Sequence, residues 1–308
     1  MPVSSLIEKI FVINLEHSVE RKQHIIDEFK RNGIINYDFF KAISKDSEEV
    51  NNILESDFIK KFPPCFRCNK NMCKCKNNFL TPPQVGNWCS FINIMKNLIQ
   101  HNYNGLIMIC EDDIQFTNNK CDRTECNLKK HTDISNNGGT HCCAKCKSNG
   151  DHGPLCQNLK SYSGIDLLNS LINLTTFNEY EITMNKPILI RLGAFYGKHH
   201  LYNKKPCLTQ HIIMSNPCFI INTLFAKSFI SHLKQINTTS DIFIHSQLPE
   251  IDKSIQHFTA NPLPVYDLSY RNIKGKPIFV SEIIPKGINE SDIIRKQEFI
   301  ARIEYKSL

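Results

Sequence analysis

The sequence contains no apolar run that approaches the roughly 18 to 20 residues needed for a membrane-spanning helix. Its first residues include Glu8 and Lys9 and then enter a short apolar stretch, so no secretion signal is expected. Internal repeats and a phosphate-binding Gly-rich loop are also missing. The 308 residues are 41% hydrophobic and 22% charged, which excludes disordered, collagen-like and fibrous proteins. We therefore expect a globular protein of the cytoplasm.

All of the net charge of +7 and ten of the 14 cysteines lie in two segments. Residues 60–76 contain six basic residues and no acidic one, and residues 121–156 carry a net charge of +1. The remainder of the chain is neutral, which argues against a nucleic-acid-binding surface spread over the whole protein. We interpret the two segments as insertions, at about 60–78 and 117–160, in a single domain that spans residues 1–308.

Outside the insertions, hydrophobic periodicity predicts alternating strands and helices. The predicted strands are 10–15, 37–43, 106–110, 188–192 and 218–221, and the predicted helices begin near residues 18, 82, 165 and 224. A strand, a helix and a second strand at the start of a chain are typical of an α/β domain. We therefore predict an α/β fold with a mainly parallel central sheet. Beyond residue 241, five prolines divide the chain into short pieces.

Three consecutive acidic residues, Glu111, Asp112 and Asp113, follow the apolar strand predicted at 106–110. Ligands bind at this end of the strands in open α/β sheets, and adjacent carboxylates repel one another unless a cation or solvent compensates them. Glu111 and Asp113 point the same way along an extended segment, so they are suited to share one Mn²⁺ or Mg²⁺ ion. The alternative is a solvated acidic turn.

Three blocks of the sequence resemble glycosyltransferase family 25, which includes lipooligosaccharide and procollagen galactosyltransferases. The blocks are Ile10-Phe-Val-Ile-Asn-Leu15 with Arg21, Thr81-Pro-Pro-Gln-Val-Gly-Asn-Trp-Cys-Ser90, and Leu106-Ile-Met-Ile-Cys-Glu-Asp-Asp-Ile114. A later stretch, residues 217–227 with Asp241 downstream, is similar to a further part of the family. The resemblance covers roughly residues 8–265, with the two insertions as gaps.

The resemblance implies a fold of the GT-A type that binds a nucleotide sugar. It also implies inverting transfer of a hexose, galactose or glucose, from a UDP-sugar to a hydroxyl group on a glycan or protein. Carried over by position, the donor-site residues are Asn14, Arg21, Ser90 and Asp112, and the Mn²⁺ ligands are Glu111, Asp112 and Asp113.

Inversion in a single displacement requires a base close to the acceptor hydroxyl. The order of the sequence makes Asp241 the first candidate for this base and Asp252 the second. One departure from the family is Phe91, which stands where the family usually has a histidine after the motif serine. His245 and His257 are candidates to complete a metal site, although a structural or solvated role is the simpler expectation for each.

The cysteine spacing predicts structural zinc in the insertions, because Cys-x2-Cys pairs place two thiolates around one tetrahedral ion. Disulfides are the alternative, but a reducing compartment favours zinc or free thiols. Our hypothesis is that the insertions pack together through one or two such sites and cover the acceptor side of the cleft. The candidate ligands are Cys65, Cys68, Cys73, Cys75, Cys121, Cys126, Cys142, Cys143, Cys146 and Cys156.

Two classes of function are compatible with these patterns. The first is a metal-dependent hexosyltransferase whose partners are a nucleotide sugar and an acceptor, with nucleic acid not expected. The second is a non-catalytic relative whose zinc-binding insertions bind a protein or nucleic acid. The abundance of Asn, Ile and Lys indicates an AT-rich genome, such as that of a protist or a large DNA virus, and a viral protein would lie in the host cytoplasm.

Overall fold

The computed structural model describes residues 3–60, 65, 80–116, 164–194, 206–210, 212, 215–261, 263–269, 272–273, 276–277 and 279. Nearly all of the two Cys-rich insertions lies outside these residues. Of the ten candidate zinc ligands the structure describes only Cys65, whose side chain is buried. The zinc hypothesis and the boundaries of the insertions therefore stay predictions.

A seven-stranded sheet forms the centre of the fold, and its inner strands are buried between layers of helices and loops. Its strands are β1 (Ile7–Asn14), β2 (Tyr37–Lys41), β3 (Leu106–Glu111), β5 (Ile188–Arg191), β7 (Cys207–Thr209), β8 (Cys218–Ile221) and β9 (Gln256–Asn261). They lie in the order β2-β1-β3-β8-β5-β9-β7. The predicted α/β class is confirmed, and each predicted strand corresponds to one of these.

The direction of the strands differs from the mainly parallel sheet that we predicted. β1 pairs in parallel with β2 and β3, and β5 pairs in parallel with β9. β8, however, runs antiparallel to both of its neighbours, and β7 runs antiparallel to β9. The sheet is therefore mixed. A continuous apolar run shows that a strand is buried but not which way it points, because the direction depends on the connection that precedes it.

Alternating side chains of the strands supply a separate hydrophobic core on each face of the sheet. In β1, Ile10 and Val12 belong to one core, and Phe11 and Ile13 belong to the other. This alternation follows from the twofold periodicity of a strand. Burial on both faces explains why the strand sequences are continuous apolar runs rather than alternating ones.

Helices cover both faces; four of them begin close to the predicted residues 18, 82, 165 and 224, and the others were not predicted. They are α1 (Val19–Arg31), α2 (Glu48–Glu55), α3 (Pro82–His101), α4 (Gly164–Leu171), α5 (Leu174–Glu179) and α6 (Thr223–His232). A further helical segment consists of α7 (Ser240–Ile242), a π-helical turn (Phe243–Gln247) and α8 (Leu248–Ile251). Within the described ranges, no helix combines the length and apolar character that crossing a membrane requires.

A small second sheet, which the sequence pattern does not predict, lies beside the end of β3. It contains β4 (Ile114–Phe116), β10 (Val265–Asp267) and β6 (Gly193–Ala194) in the order β4-β10-β6. A separate two-stranded pair is formed by β11 (Asn272–Ile273) and β12 (Lys276–Pro277). Because Asp267 pairs with Ile114, the second sheet brings a late part of the chain next to the three consecutive acidic residues.

The start of α3 is packed closely against the segment that follows β2. Ser90 Oγ accepts a hydrogen bond from Ile43 N at 2.8 Å and donates one to Gly86 O at 2.8 Å. A Cβ atom on Gly86 would lie only 2.7 Å from the Ile43 carbonyl oxygen. Gly86 and Ser90, which are one helical turn apart, therefore fix the position of residues 42–45 at the carboxyl end of β2.

We predict that Gly86→Ala destabilises the protein, although alanine ordinarily favours a helix over glycine by about 1 kcal/mol. Relief of the clash with a backbone oxygen should cost about 1–3 kcal/mol, as for overpacking in a core. Urea unfolding followed by circular dichroism would measure the difference. Asn51→Ala, at an exposed position of α2, is the control and should be neutral or stabilising. An unchanged or higher stability of Gly86→Ala would contradict the close packing.

Candidate active site

Polar side chains gather at the edge of the main sheet where β1 and β3 end. Because β1 and β3 are parallel neighbours, their carboxyl ends lie side by side. Asn14 is the last residue of β1, Glu111 is the last residue of β3, and Asp112 and Asp113 form the turn into β4. The structure thus places at one edge of the sheet four residues that the resemblance assigned to the donor and the metal.

An ion pair between Arg21 on α1 and two carboxylates joins the two strand ends. The Arg21 guanidinium donates to Asp112 Oδ1 at 2.9 Å and to Asp113 Oδ2 at 3.0 Å. Asn14 Nδ2 donates to the other oxygen of Asp112, Oδ2, at 2.7 Å. Asn14 and both aspartates are buried, and the Arg21 side chain is only 14% exposed. Both oxygens of Asp112 are thus engaged by residues that we had expected beside the nucleotide.

Asp113 is held by the segment that follows β10 and retains one unsatisfied oxygen. Ser269 Oγ donates to Asp113 Oδ2, and Leu268 N donates to the Asp113 carbonyl oxygen at 2.8 Å. Among the described residues, Asp113 Oδ1 is buried and has no hydrogen-bond partner. A buried carboxylate oxygen without a partner is costly, so this atom is prepared to receive a cation or a donor group.

Negative charge exceeds positive charge at this edge, and the excess raises the pKa of several carboxyl groups. Burial and then the charges of Asp113 and Asp112 raise the pKa of Glu111 to about 8. Burial, followed by the charges of Asp113 and Glu111, raises the pKa of Asp267 well above its ordinary value. Burial and the charge of Asp113 also raise the pKa of Asp112, although Arg21 opposes this shift. The site therefore favours an additional cation.

The structure does not present the three consecutive acids as one set of metal ligands. In the part of the chain that is described, no group of three or more His, Cys, Asp or Glu side chains is arranged around a common metal position. The carboxylate oxygens of Asp112 already accept hydrogen bonds from Arg21 and Asn14. Asp113 Oδ1 and the carboxylate of Glu111 are the groups that could still bind a cation. Carboxylate oxygens are the donors that Mg²⁺ and Mn²⁺ prefer, so the chemistry of the remaining groups fits such an ion.

The two candidate bases occupy different edges of the sheet. Asp241 lies near enough to Glu111 to contribute to the raised pKa of that carboxyl group. Asp252 precedes β9, which is parallel to β5, and so lies at the amino ends of the parallel strands. Its oxygens accept hydrogen bonds from Ser228 Oγ at 2.5 Å and Ser254 Oγ at 2.6 Å. Only Asp241 is brought to the acidic edge.

Of three other expected site residues, Ser90 and His245 are buried in the core and His257 is half-buried. Ser90 is 1% exposed, and its hydroxyl docks the segment after β2 rather than facing a cleft. His245 is fully buried and contacts Asn216, and His257 lies in β9 near the amino end of that strand. Neither histidine belongs to a metal-binding group within the described ranges.

Asp267 and Ser269 are site residues that the sequence analysis missed, together with Phe279. The Phe279 ring lies 5.4 Å from the Arg21 guanidinium carbon, close enough for a cation–π contact. A signal for Asp267 was present, because Val265-Tyr-Asp267 is a short strand that ends in an acid, as β3 does. Nothing in the sequence, however, indicates that β10 pairs with β4.

Comparison with known families identifies a match to part of the chain. The model of glycosyltransferase family 25, described as an LPS biosynthesis protein, matches residues 7–143. The matched range contains Asn14, Arg21 and the three consecutive acids, so the predicted resemblance is confirmed there. No curated protein matches the chain. Asp241, Asp267 and Ser269 lie beyond the matched residues.

We predict that Arg21→Met destabilises the protein by about 3–5 kcal/mol at neutral pH, because it leaves two buried carboxylates uncompensated. Urea unfolding would measure the loss. Lys41→Met is the matched control, since Lys41 forms an ion pair with Glu16 on the exposed surface. That substitution should leave the free energy of unfolding unchanged within error. Equal effects of the two substitutions would show that Arg21 does not hold the acidic residues together.

We also predict that the thermal stability of the metal-free protein falls as the pH rises from about 5 to about 8. A carboxyl group whose pKa is raised in the folded state binds its proton more tightly there than in the unfolded state, so deprotonation disfavours folding. For Glu111 this loss falls between its unfolded pKa and about 8. Differential scanning calorimetry of Glu111→Gln should show a smaller fall than the wild type, and the same fall in both proteins would contradict the assignment.

Proposed function

Because residues 7–143 match glycosyltransferase family 25, we propose that the chain is an inverting, divalent-cation-dependent hexosyltransferase. It would transfer galactose or glucose from a UDP-sugar to a hydroxyl group on a glycan or protein. The match supports a glycosyltransferase, and the mixed seven-stranded sheet is compatible with a fold of the GT-A type. The sugar, the stereochemistry and the cation belong to the proposal.

The observation that carries the proposal is the excess of buried negative charge at the carboxyl edge of β3. Asp113 Oδ1 has no partner among the described residues, and the carboxyl groups of Glu111 and Asp267 have raised pKa values. A structural acidic turn would be solvated or fully paired, whereas these groups are neither. Such a site is suited to a ligand that brings positive charge, as a divalent metal ion does.

Asp113 and Glu111 are the residues that would hold a Mn²⁺ or Mg²⁺ ion, and such an ion supplies charge neutralisation to a departing diphosphate. Asp112 would act indirectly, because both of its oxygens are bound by Arg21 and Asn14. Arg21 and Asn14 are therefore positioning residues in this proposal. They hold the turn after β3 in one conformation, so its carboxylates need not reorganise when the donor binds.

Asp241 is the proposed base. In a single displacement, the acceptor oxygen attacks the anomeric carbon as the bond to the diphosphate breaks, and the hydroxyl proton passes to a carboxylate. Asp241 is partly exposed, follows the buried Ser240, and lies near Glu111. A base must be accessible to the acceptor and close to the reacting group. Asp252 does not meet the second condition, because it lies at the opposite edge of the sheet.

We predict that Asp113→Asn lowers kcat/KM on the order of 100-fold or more, because it removes the charge of the carboxylate that has an unsatisfied oxygen. Screening UDP-sugars for Mn²⁺-dependent thermal stabilisation would first identify the donor. Transfer rates of wild type and variant would then be compared. Asp38→Asn is the control, since Asp38 is an exposed aspartate on β2 that pairs with Lys9.

Two outcomes would contradict the proposal. Full activity of Asp113→Asn, or wild-type activity that persists with a chelator present, would exclude a cation held at this site. Absence of any nucleotide-sugar binding, together with tight and salt-sensitive binding of a polyanion, would favour the non-catalytic alternative instead.

A further inference from the structure

The segment that carries Asp241 is attached to the start of α3 by two contacts. Trp88 Nε1 donates to the Thr238 carbonyl oxygen at 2.8 Å, and Ser240 Oγ donates to Asn87 Oδ1 at 2.5 Å. Trp88 is fully buried, and Thr238 and Ser240 are nearly so. Residues 238–240 are therefore held against a rigid helix, and Asp241 is the first residue beyond them.

A second link joins the same segment to the chain before β8. Asn216 Nδ2 donates to Ser240 Oγ at 3.0 Å. The amide oxygen of Asn216 is then left to accept a hydrogen bond, and His245 Nε2 lies 2.9 Å from it. His245 therefore carries its proton on Nε2 and is neutral, in agreement with a pKa that burial and Arg191 hold well below the ordinary value.

The π-helical turn is what gives His245 this position. The turn spans Phe243–Gln247 and follows α7 directly. It widens the helix by one residue, and such insertions commonly occur at functional sites. The backbone of the turn is fixed from the other side, because the buried guanidinium of Arg191 donates to the His245 carbonyl oxygen at 2.6 Å.

The Asn216-Pro217 pair connects this polar chain to the acidic edge. Glu111 N donates to the Pro217 carbonyl oxygen at 2.9 Å, so the backbone of Glu111 is fixed by the residue next to Asn216. Asn216 in turn binds Ser240, which precedes Asp241. A single dipeptide thus sets the positions of two acidic residues that are 130 positions apart in the sequence.

We propose that the buried chain Asn87–Ser240–Asn216–His245 positions Asp241 relative to Glu111, so that the base faces the bound donor. Ser240, Asn216 and His245 are positioning residues, since the side-chain hydrogen bonds that link them join them to one another and to Asn87. The inference rests on the proposed transfer reaction for its kinetic consequence. The claim that the buried polar chain fixes the position of Asp241 does not depend on that reaction.

Ser240→Ala tests the inference because it removes the hydroxyl that both Asn87 and Asn216 contact. We expect kcat for transfer to fall roughly 10- to 100-fold while the KM for the donor stays the same, since a misplaced base slows chemistry without weakening donor binding. In an Asp241→Asn background, Ser240→Ala should cause no further loss, because the residue that it positions is gone.

Thr223→Val is the matched control. Thr223 is buried like Ser240, and its hydroxyl donates to the Tyr103 carbonyl oxygen at 2.8 Å. It follows β8 and so lies at the opposite edge of the sheet. The two substitutions should lower thermal stability by similar amounts, but only Ser240→Ala should lower kcat. Equal kcat values, or an additive loss in the Asp241→Asn background, would overturn the inference.

A crystal structure of Ser240→Ala decides the geometric part independently of activity. We expect the Asp241 carboxylate to be displaced by about 1 Å or more, with Glu111 unmoved, which is a shift large enough to affect a reaction. An unmoved Asp241 would overturn the inference whatever the activity of the protein. If the wild type transfers no sugar, the proposed function fails, and the position of Asp241 in the variant still tells whether the polar chain holds it.

Discussion

The ion pair between Arg21 and the carboxylates of Asp112 and Asp113 is the interaction on which the site depends. It joins a helix near the start of the chain to a turn about 90 residues later, and it does so with little exposure to solvent. Two buried carboxylates side by side would otherwise repel each other and favour protonation. Because Arg21 partly compensates the charges of the two carboxylates, the acidic turn can hold one conformation and still present negative charge to a ligand.

The mixed direction of the sheet has a consequence for how the site is assembled. Since β8 runs antiparallel to β3, the residues that precede β8 lie at the edge where β3 ends. A parallel β8 would have placed Asn216 and Pro217 at the opposite edge. The acidic turn is thus surrounded by the end of β1, the start of β8 and the end of β10, which approach it from three parts of the chain.

The sequence identified the elements and the residues that lie close to one another along the chain. The acidic turn after β3 was recognisable because a local pattern and the family resemblance pointed to the same residues, whereas Asn14 and Arg21 were recognisable through the resemblance alone. The contribution of Asp267 and Ser269 could not be found, since it arises from the pairing of β10 with β4, which no periodicity encodes. We expected Ser90 to line the donor site, whereas in the structure its hydroxyl packs α3 against the segment after β2.

The first two turns of α3 connect separate parts of the site through a single helix. Gly86 and Ser90 hold the segment after β2, while Asn87 and Trp88 hold residues 238–240. Because one helix anchors both segments, we expect them to open together if these turns unwind. Amide protons in both segments should then exchange with solvent as one cooperative unit, even though nearly 200 residues separate them in the sequence.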